Sequence, residues 1–169
     1  MQVVMDTSAL VSLGTVADSP QTPLDYLLTN HTVAVPEQVL DELEATAAYG
    51  DPSGQGARNA LERRELFEVY SVELDETVPL DDGENAAVTL ANESEAAQLL
   101  CDEFNHLALV HASLTTARLV TTPTLLVLLA RREILSRDEA DEILTEMSDA
   151  RSWAGNAYVN RARTTLATQ

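Results

Sequence analysis

The chain has 169 residues, 45 % of them hydrophobic, which suffices for one domain with a real core and falls short of two ordinary ones. Its net charge of -18 sets 28 acids against 10 bases, and every base is an arginine, so the lysine-dependent P-loop and the response-regulator receiver are excluded by composition. No apolar run approaches the roughly 20 residues that cross a bilayer, no signal-peptide pattern opens the chain, and the one cysteine permits no internal disulfide, so a cytoplasmic protein without membrane contact is expected.

In chain order, "QVVM" from Gln2 to Met5 reads as a buried strand running into Asp6, with an apolar helical pattern immediately after it. "TPLDYLL" starts a helix with Thr22 as N-cap, Pro23 at the first position and Asp25 in the first turn. A second strand covers Thr32 to Val35, and "VPEQVLDELEA" follows as a helix. "YGDPSGQG" from Tyr49 to Gly56 reads as the clearest loop, and Arg63 and Arg64 in "ALERRELF" as a solvated helix face. A third strand spans Phe67 to Val72, and "LDETVPLDDG" makes a second loop in which Asp81 and Asp82 serve as turn and N-cap residues. Strands from Gln98 to Cys101 and from Arg118 to Thr121 complete the set; Cys101 reads as a buried thiol and Leu125 to Leu129 as core. "SRDEADEIL" pairs Ser136 with Glu139 as a capping box, and a terminal helix is expected from about Asn156.

Continuous rather than alternating apolar strands imply burial on both faces. The expected fold is therefore α/β, a three-layer α/β/α sandwich around a central, mostly parallel sheet. Residues 1–150 form the expected domain, with 151–169 a helical extension packed on it.

In such a sheet, ligands bind outside the carboxyl ends of the strands. Asp6 follows the first strand directly, and Asp102 with Glu103 follows "QLLC" in the same way, so both groups stand on one rim. Neighbouring strand ends lie about 5 Å apart. Two carboxylates at about 4 Å repel by about 4 kcal/mol at an effective dielectric of 20, so something positive must balance them. Glu84 in "DGENAAVTLANE" shares its helical face with Ala87, Val88 and Ala91, the stripe that packs on the sheet. Glu42 and Glu44 lie at opposite borders of the stripe formed by Val39, Leu43 and Ala47, and periodicity does not choose between them. With no lysine and no arginine beside these motifs, the balancing charge is a hard divalent cation, Mg²⁺ or Mn²⁺. The absence of a histidine cluster or a paired-cysteine motif argues against zinc. Asp-x-Asp phosphatases are excluded because the first motif reads Asp6-Thr7-Ser8.

"VVMDTSALVSL", "VPEQVLDEL", "DDGENAAVTLANE", "LLCDEFNHLALV" and "TPTLLVLLARREILSRDEADEIL" resemble, in order, the successive motifs of the PIN domain, the fold of VapC-like ribonuclease toxins and related metal-dependent nucleases. The resemblance covers roughly the first 150 residues. It implies that Asp6, Glu42, Glu84 and Asp102 bind the metal and carry the catalysis, with Glu103 as an auxiliary ligand, and it is the resemblance that selects Glu42 over Glu44. It implies that Thr7 and Ser8 complete the first motif, a hydroxyl orienting a carboxylate. It further implies endoribonuclease activity, an RNA substrate, an antitoxin protein as partner and a homodimer. The chain departs from that pattern at Ala86, where a second acid is usual, at Pro123 in place of a glycine, and in lacking an arginine after the paired acids. These departures define the rival reading, a catalytically inactive PIN-like module that binds nucleic acid or protein.

A surface dense in carboxylates suits molar salt, where the Debye length falls to about 3 Å and self-repulsion is screened, so a halophilic source is expected. Screening also removes most of the objection that an acidic surface raises to a nucleic-acid substrate. Arg151, Arg161 and Arg163 lie in the one acid-poor stretch and are the candidate phosphate contacts. His31, His106 and His111 are scattered and read as ordinary packed or exposed histidines.

Overall fold

A computed structural model describes residues 1–18 and 22–169, and in it the five expected strands form one sheet. They are β1 (Gln2–Met5), β2 (Thr32–Pro36), β3 (Glu68–Tyr70), β4 (Gln98–Leu100) and β5 (Arg118–Val120). Their order is β3-β2-β1-β4-β5, and every pairing is parallel. The period of two divides their side chains between two cores: Val3, Met5, Val33, Val35 and Leu100 face one side, and Val4, Ala34 and Leu99 the other. The first side is covered by α1 (Thr7–Gly14), α2 (Pro23–Asn30), α3 (Glu37–Ala47), α4 (Pro52–Leu61), α7 (Thr122–Arg131), α8 (Arg137–Arg151) and α9 (Ala157–Thr168). The second is covered by α5 (Asp82–Glu93) and α6 (Leu107–Ser113). The molecule is thus the three-layer sandwich expected from the strand pattern. None of its described helices is long and apolar enough to cross a membrane.

This strand order positions the site. The chain lays down β1, β2 and β3 in one direction and then returns to place β4 on the other side of β1, so the order reverses between β1 and β4. Where the order reverses, the connections diverge and leave a crevice at the carboxyl ends. Asp6 and the pair Asp102 and Glu103 emerge at that point, because β1 and β4 are direct neighbours.

The helix punctuation follows the residues expected to make it. Thr22 caps α2 through the Asp25 amide, Ser136 and Glu139 form the reciprocal box of α8, and Asn156 caps α9. The reading of Tyr49 to Gly56 as loop is corrected: α4 begins at Pro52 and carries Gly54 and Gly56 inside it. Asp51 caps it by accepting from the Gly54 amide, Pro52 occupies the first position, and the glycines permit a close crossing rather than a turn. A Cβ on Gly14 of α1 would overlap the backbone of Gly56, and one on Gly56 would meet the carbonyl of Val11. The crossing is closed by the buried Asn59 amide, which donates to the Gly14 carbonyl at 2.9 Å.

Arg63 also departs from its expected solvated position. It pairs with Asp25 at 2.5 Å and donates to the carbonyls of Ala17 and Asn59, fastening the end of α4 to α2. Its guanidinium holds the Asp25 carboxyl below the ordinary carboxylate range. Arg64 remains at the surface, paired with Glu44.

Gly56→Ala is expected to destabilise the protein by about 1–2 kcal/mol, overpacking at the helix crossing outweighing the gain in helix propensity. Gly50→Ala, whose Cβ would meet nothing within 4 Å, is expected to leave stability nearly unchanged. Denaturant midpoints of the two variants compared with the parent chain measure the difference.

Candidate functional site

The crevice at the switch point is a cleft of about 340 Å³ lined by five carboxylates, those of Asp6, Glu42, Asp81, Glu84 and Glu103, together with Thr7, Ser8 and Arg151. Each acid arrives by a different route. Asp6 occupies the N-cap position of α1 without capping it; its Oδ2 instead accepts from the Ser8 hydroxyl at 2.9 Å and from the Cys101 thiol at 3.5 Å. The same Ser8 oxygen accepts the backbone amide of Asp102 at 2.9 Å, so one hydroxyl ties the rim of β1 to the rim of β4. The Thr7 hydroxyl donates to Glu42 Oε2, reaching across to α3.

Glu42 also rests on the first turn of α5, where its carboxylate occupies the space that a Cβ on Gly83 would need. Glu84 lies in that turn, nearly fully buried, its amide capped by the Asp81 carboxylate at 2.8 Å. Asn85, buried beside it, grips the amide and the carbonyl of Asp75 and so holds the loop that delivers Asp81. On the opposite wall, a turn after β4 closes with the His106 amide bonded to the Glu103 carbonyl, and the His106 ring returns to Glu84 with Nδ1 2.8 Å from Oε1.

The electrostatics are those of carboxylates crowded out of water. Burial, reinforced by the charge on Glu42, pushes the Asp6 carboxyl up to about 7 despite its hydrogen bonds. Burial likewise raises Glu42 and Glu103, with further upward pressure from Asp81 and Glu84 on both. The hydrogen bond to Glu84 raises His106 above its ordinary value and favours its charged form. Arg151 brings a fixed positive charge to the same cleft from the C-terminal end of α8; its Nη1 donates to Ser53 Oγ at 2.9 Å and its guanidinium lies 6.0 Å from the Trp153 ring.

Two buried carboxylate oxygens, Asp6 Oδ1 and Glu84 Oε2, have no hydrogen-bond partner among the described residues. An unpaired buried carboxylate oxygen is costly, and a cation is the partner that relieves it. Oxygen atoms of Glu84 and Glu103 and a ring nitrogen of His106 lie within 4.8 Å of one another, a spacing at which they could share one ion. This donor set of oxygens with one imidazole fits a divalent ion such as Mg²⁺ or Mn²⁺, the nitrogen favouring Mn²⁺.

The family model for the PIN domain matches residues 2–167, nearly the whole chain. The chain belongs to the PIN domain family. Its fold is therefore of nuclease type, and the matched span takes in α9 as well as the sheet. Among curated proteins, none matches the chain significantly.

Within this PIN domain, the residues expected from the sequence divide into those that meet and those that do not. Asp6, Glu42, Glu84 and Glu103 line one cleft, and Glu44 stands apart on the surface beside Arg64. Asp102 does not line it. Both of its carboxylate oxygens are taken by Thr122, Oδ1 by the amide at 2.8 Å and Oδ2 by the hydroxyl at 2.6 Å, because it lies over the N-terminal turn of α7. The residue of this pair that lines the cleft is its neighbour Glu103.

The three arginines expected to act together also part company. Arg151 enters the acid cleft, Arg161 lines a separate groove, and Arg163 is tied to Asp141 at 3.2 Å and to the Thr145 hydroxyl. His106, set aside as an ordinary histidine, lies beside Glu84 and Glu103; its place three residues after Glu103 is the one signal in the chain that could have pointed to it. Asp81 acts as the expected cap and lines the cleft as well.

Because the folded-state pKa of Asp6 lies above its ordinary value of 3.8, its contribution to stability is full below that value and is lost as pH rises through about 7. The metal-free protein is expected to lose thermal stability between about pH 5 and about pH 8, and Asp6→Asn to flatten that decline. Mn²⁺ competes with the same proton, so its affinity should climb as pH rises toward 7. Unfolding scans at both pH values, with and without the ion, check both statements.

Proposed function

We propose that this PIN domain is a divalent-metal-dependent endoribonuclease whose site is formed by Asp6, Glu42, Glu84 and Glu103. The observation that carries this reading is the pair of orphaned, buried oxygens on Asp6 and Glu84 in a cleft of five carboxylates. Asp6, Glu84 and Glu103 would hold the ion. When bound, it supplies Lewis-acid polarisation of a phosphodiester and a more acidic water.

The chain's own residues do the rest. Ser8 and Thr7 fix the Asp6 and Glu42 carboxylates before substrate arrives, which spares their reorganisation during the reaction. Glu42, raised by burial, accepts a proton readily and stands where it can take one from an attacking water. His106, whose charged form the bond to Glu84 favours and whose ring is half exposed, can return a proton to the leaving oxygen. Arg151 supplies positive charge to a phosphate that five carboxylates would otherwise repel.

The toxin half of a toxin and antitoxin pair, acting as a homodimer on RNA in a salt-rich cell, is the biological form of the same proposal; the lysine-free, acid-rich surface supports the salt-rich setting. The rival, an inactive binding module, draws support from Ala86 and from the permanent cation Arg151 in the cleft.

Glu84→Gln is expected to abolish Mn²⁺-dependent cleavage of labelled RNA and to weaken Mn²⁺ binding. Ser8→Ala, which removes the hydroxyl that orients Asp6 and holds the Asp102 amide, should cost about 10- to 100-fold. Expression of the parent chain should arrest growth, and Glu84→Gln should relieve the arrest. A parent protein that binds no Mn²⁺ in a calorimetric titration and cuts no RNA removes the nuclease reading in favour of its rival.

A further inference from the structure

A second groove, of about 580 Å³, lies between α6, α7 and α9, and among the described residues no acid lines it. In a chain with 28 acids and a net charge of -18, an acid-free wall is a distinctive surface. Its charged lining consists of Arg131 and Arg161, both exposed and neither in an ion pair with any described residue, whereas Arg63, Arg64 and Arg163 are all paired. His111 adds a third nitrogen base.

Two short segments run from the acid cleft to this groove. In the first, Glu103 and His106 face the acids while Leu107 and Ala108, next in the chain, face the groove. In the second, Arg151 stands in the cleft and Tyr158 and Arg161 in the groove. Between them lies an aromatic cluster. The ring of Phe104 stacks on Tyr158 at 5.1 Å and 20° and meets Trp153 edge-on at 5.1 Å, while Tyr158 keeps 36 % of its surface exposed.

We propose that this groove is the track for single-stranded RNA leaving the cleft, with Arg161 and Arg131 holding successive phosphates and the Tyr158 ring stacking an unpaired base beside Phe104. The chemistry is that of a single-strand path: aromatic rings stack on bases of any sequence, and arginines follow the backbone. A duplex hides its base faces and offers such a ring nothing to stack on. The proposal rests on the nuclease reading for the placement of the scissile phosphate, and its residues lie outside the acid cleft, so the two fail separately.

The test is binding of a fluorescent single-stranded RNA to the whole protein, read by anisotropy across a salt series, with a Mn²⁺ titration of every variant. Arg131→Gln with Arg161→Gln is expected to weaken binding roughly tenfold at about 0.1 M salt and to flatten the salt slope by about 1.4, about 0.7 for each phosphate that an arginine no longer holds. Tyr158→Ala should weaken it by about fivefold or more, the worth of one stacked base. Arg163→Gln, already paired within the protein, should leave affinity unchanged, and Mn²⁺ binding should be untouched in all of them. Unchanged RNA affinity and slope in the double variant, or a duplex bound as tightly as the single strand, overturns the track. A parent dimer that the double variant dissolves while RNA affinity stays the same assigns the groove to a second copy and overturns it equally.

Discussion

The structure depends on one electrostatic constraint: several carboxylates are held together, largely out of water, at the reversal point of a parallel sheet. At an effective dielectric of about 20, each pair at about 4 Å costs about 4 kcal/mol. The fold tolerates this in three ways. Burial holds the Asp6, Glu42 and Glu103 carboxyls above the ordinary carboxylate range, which makes them readier to take up a proton. Part is met by cations the chain supplies itself, Arg151 and the charged form of His106. The remainder lies on oxygens of Asp6 and Glu84 that have no hydrogen-bond partner among the described residues.

Such a site needs rigid support, and small hydroxyl residues supply it. Ser8 links two strands through a single oxygen, Thr7 links α1 to α3, and Thr122 binds both carboxylate oxygens of Asp102. Asp102 thereby joins β4 to α7, while its neighbour Glu103 faces the cavity. Gly83 completes the arrangement by leaving room for Glu42 against the first turn of α5. Phe104, Trp153 and Tyr158 pack together beside the basic groove, which Tyr158 lines.

The fold was largely legible in the residues. Runs such as "QVVM" and "QLL" are too apolar to face water, and their spacing by helical patterns leaves few arrangements besides a parallel sheet between helices. Caps at Thr22, Ser136 and Asn156 act through neighbours three residues away or fewer, so local sequence sufficed to place them. The helix α4 was missed because Gly54 and Gly56 look like loop residues until the carbonyl of Tyr49 and the backbone of α1 are laid against them.

The site was legible in part, and the division follows the range of the interactions. Asp6 and Glu84 were found because strand ends and helix periodicity determine where a side chain points, and both properties are local to the chain. Three features lay beyond that reach: the choice of Glu103 over Asp102, the entry of Arg151 and the return of His106. Each depends on contacts between elements: Asp102 turned when α7 offered it a free amide, and Arg151 reached the cleft because α8 packs across α1 and α4. Local pattern specified which residues carry charge and on which rim they emerge; long-range packing alone decided which of them meet, since desolvation and hydrogen bonding at the site arise from neighbours that the chain brings together only on folding.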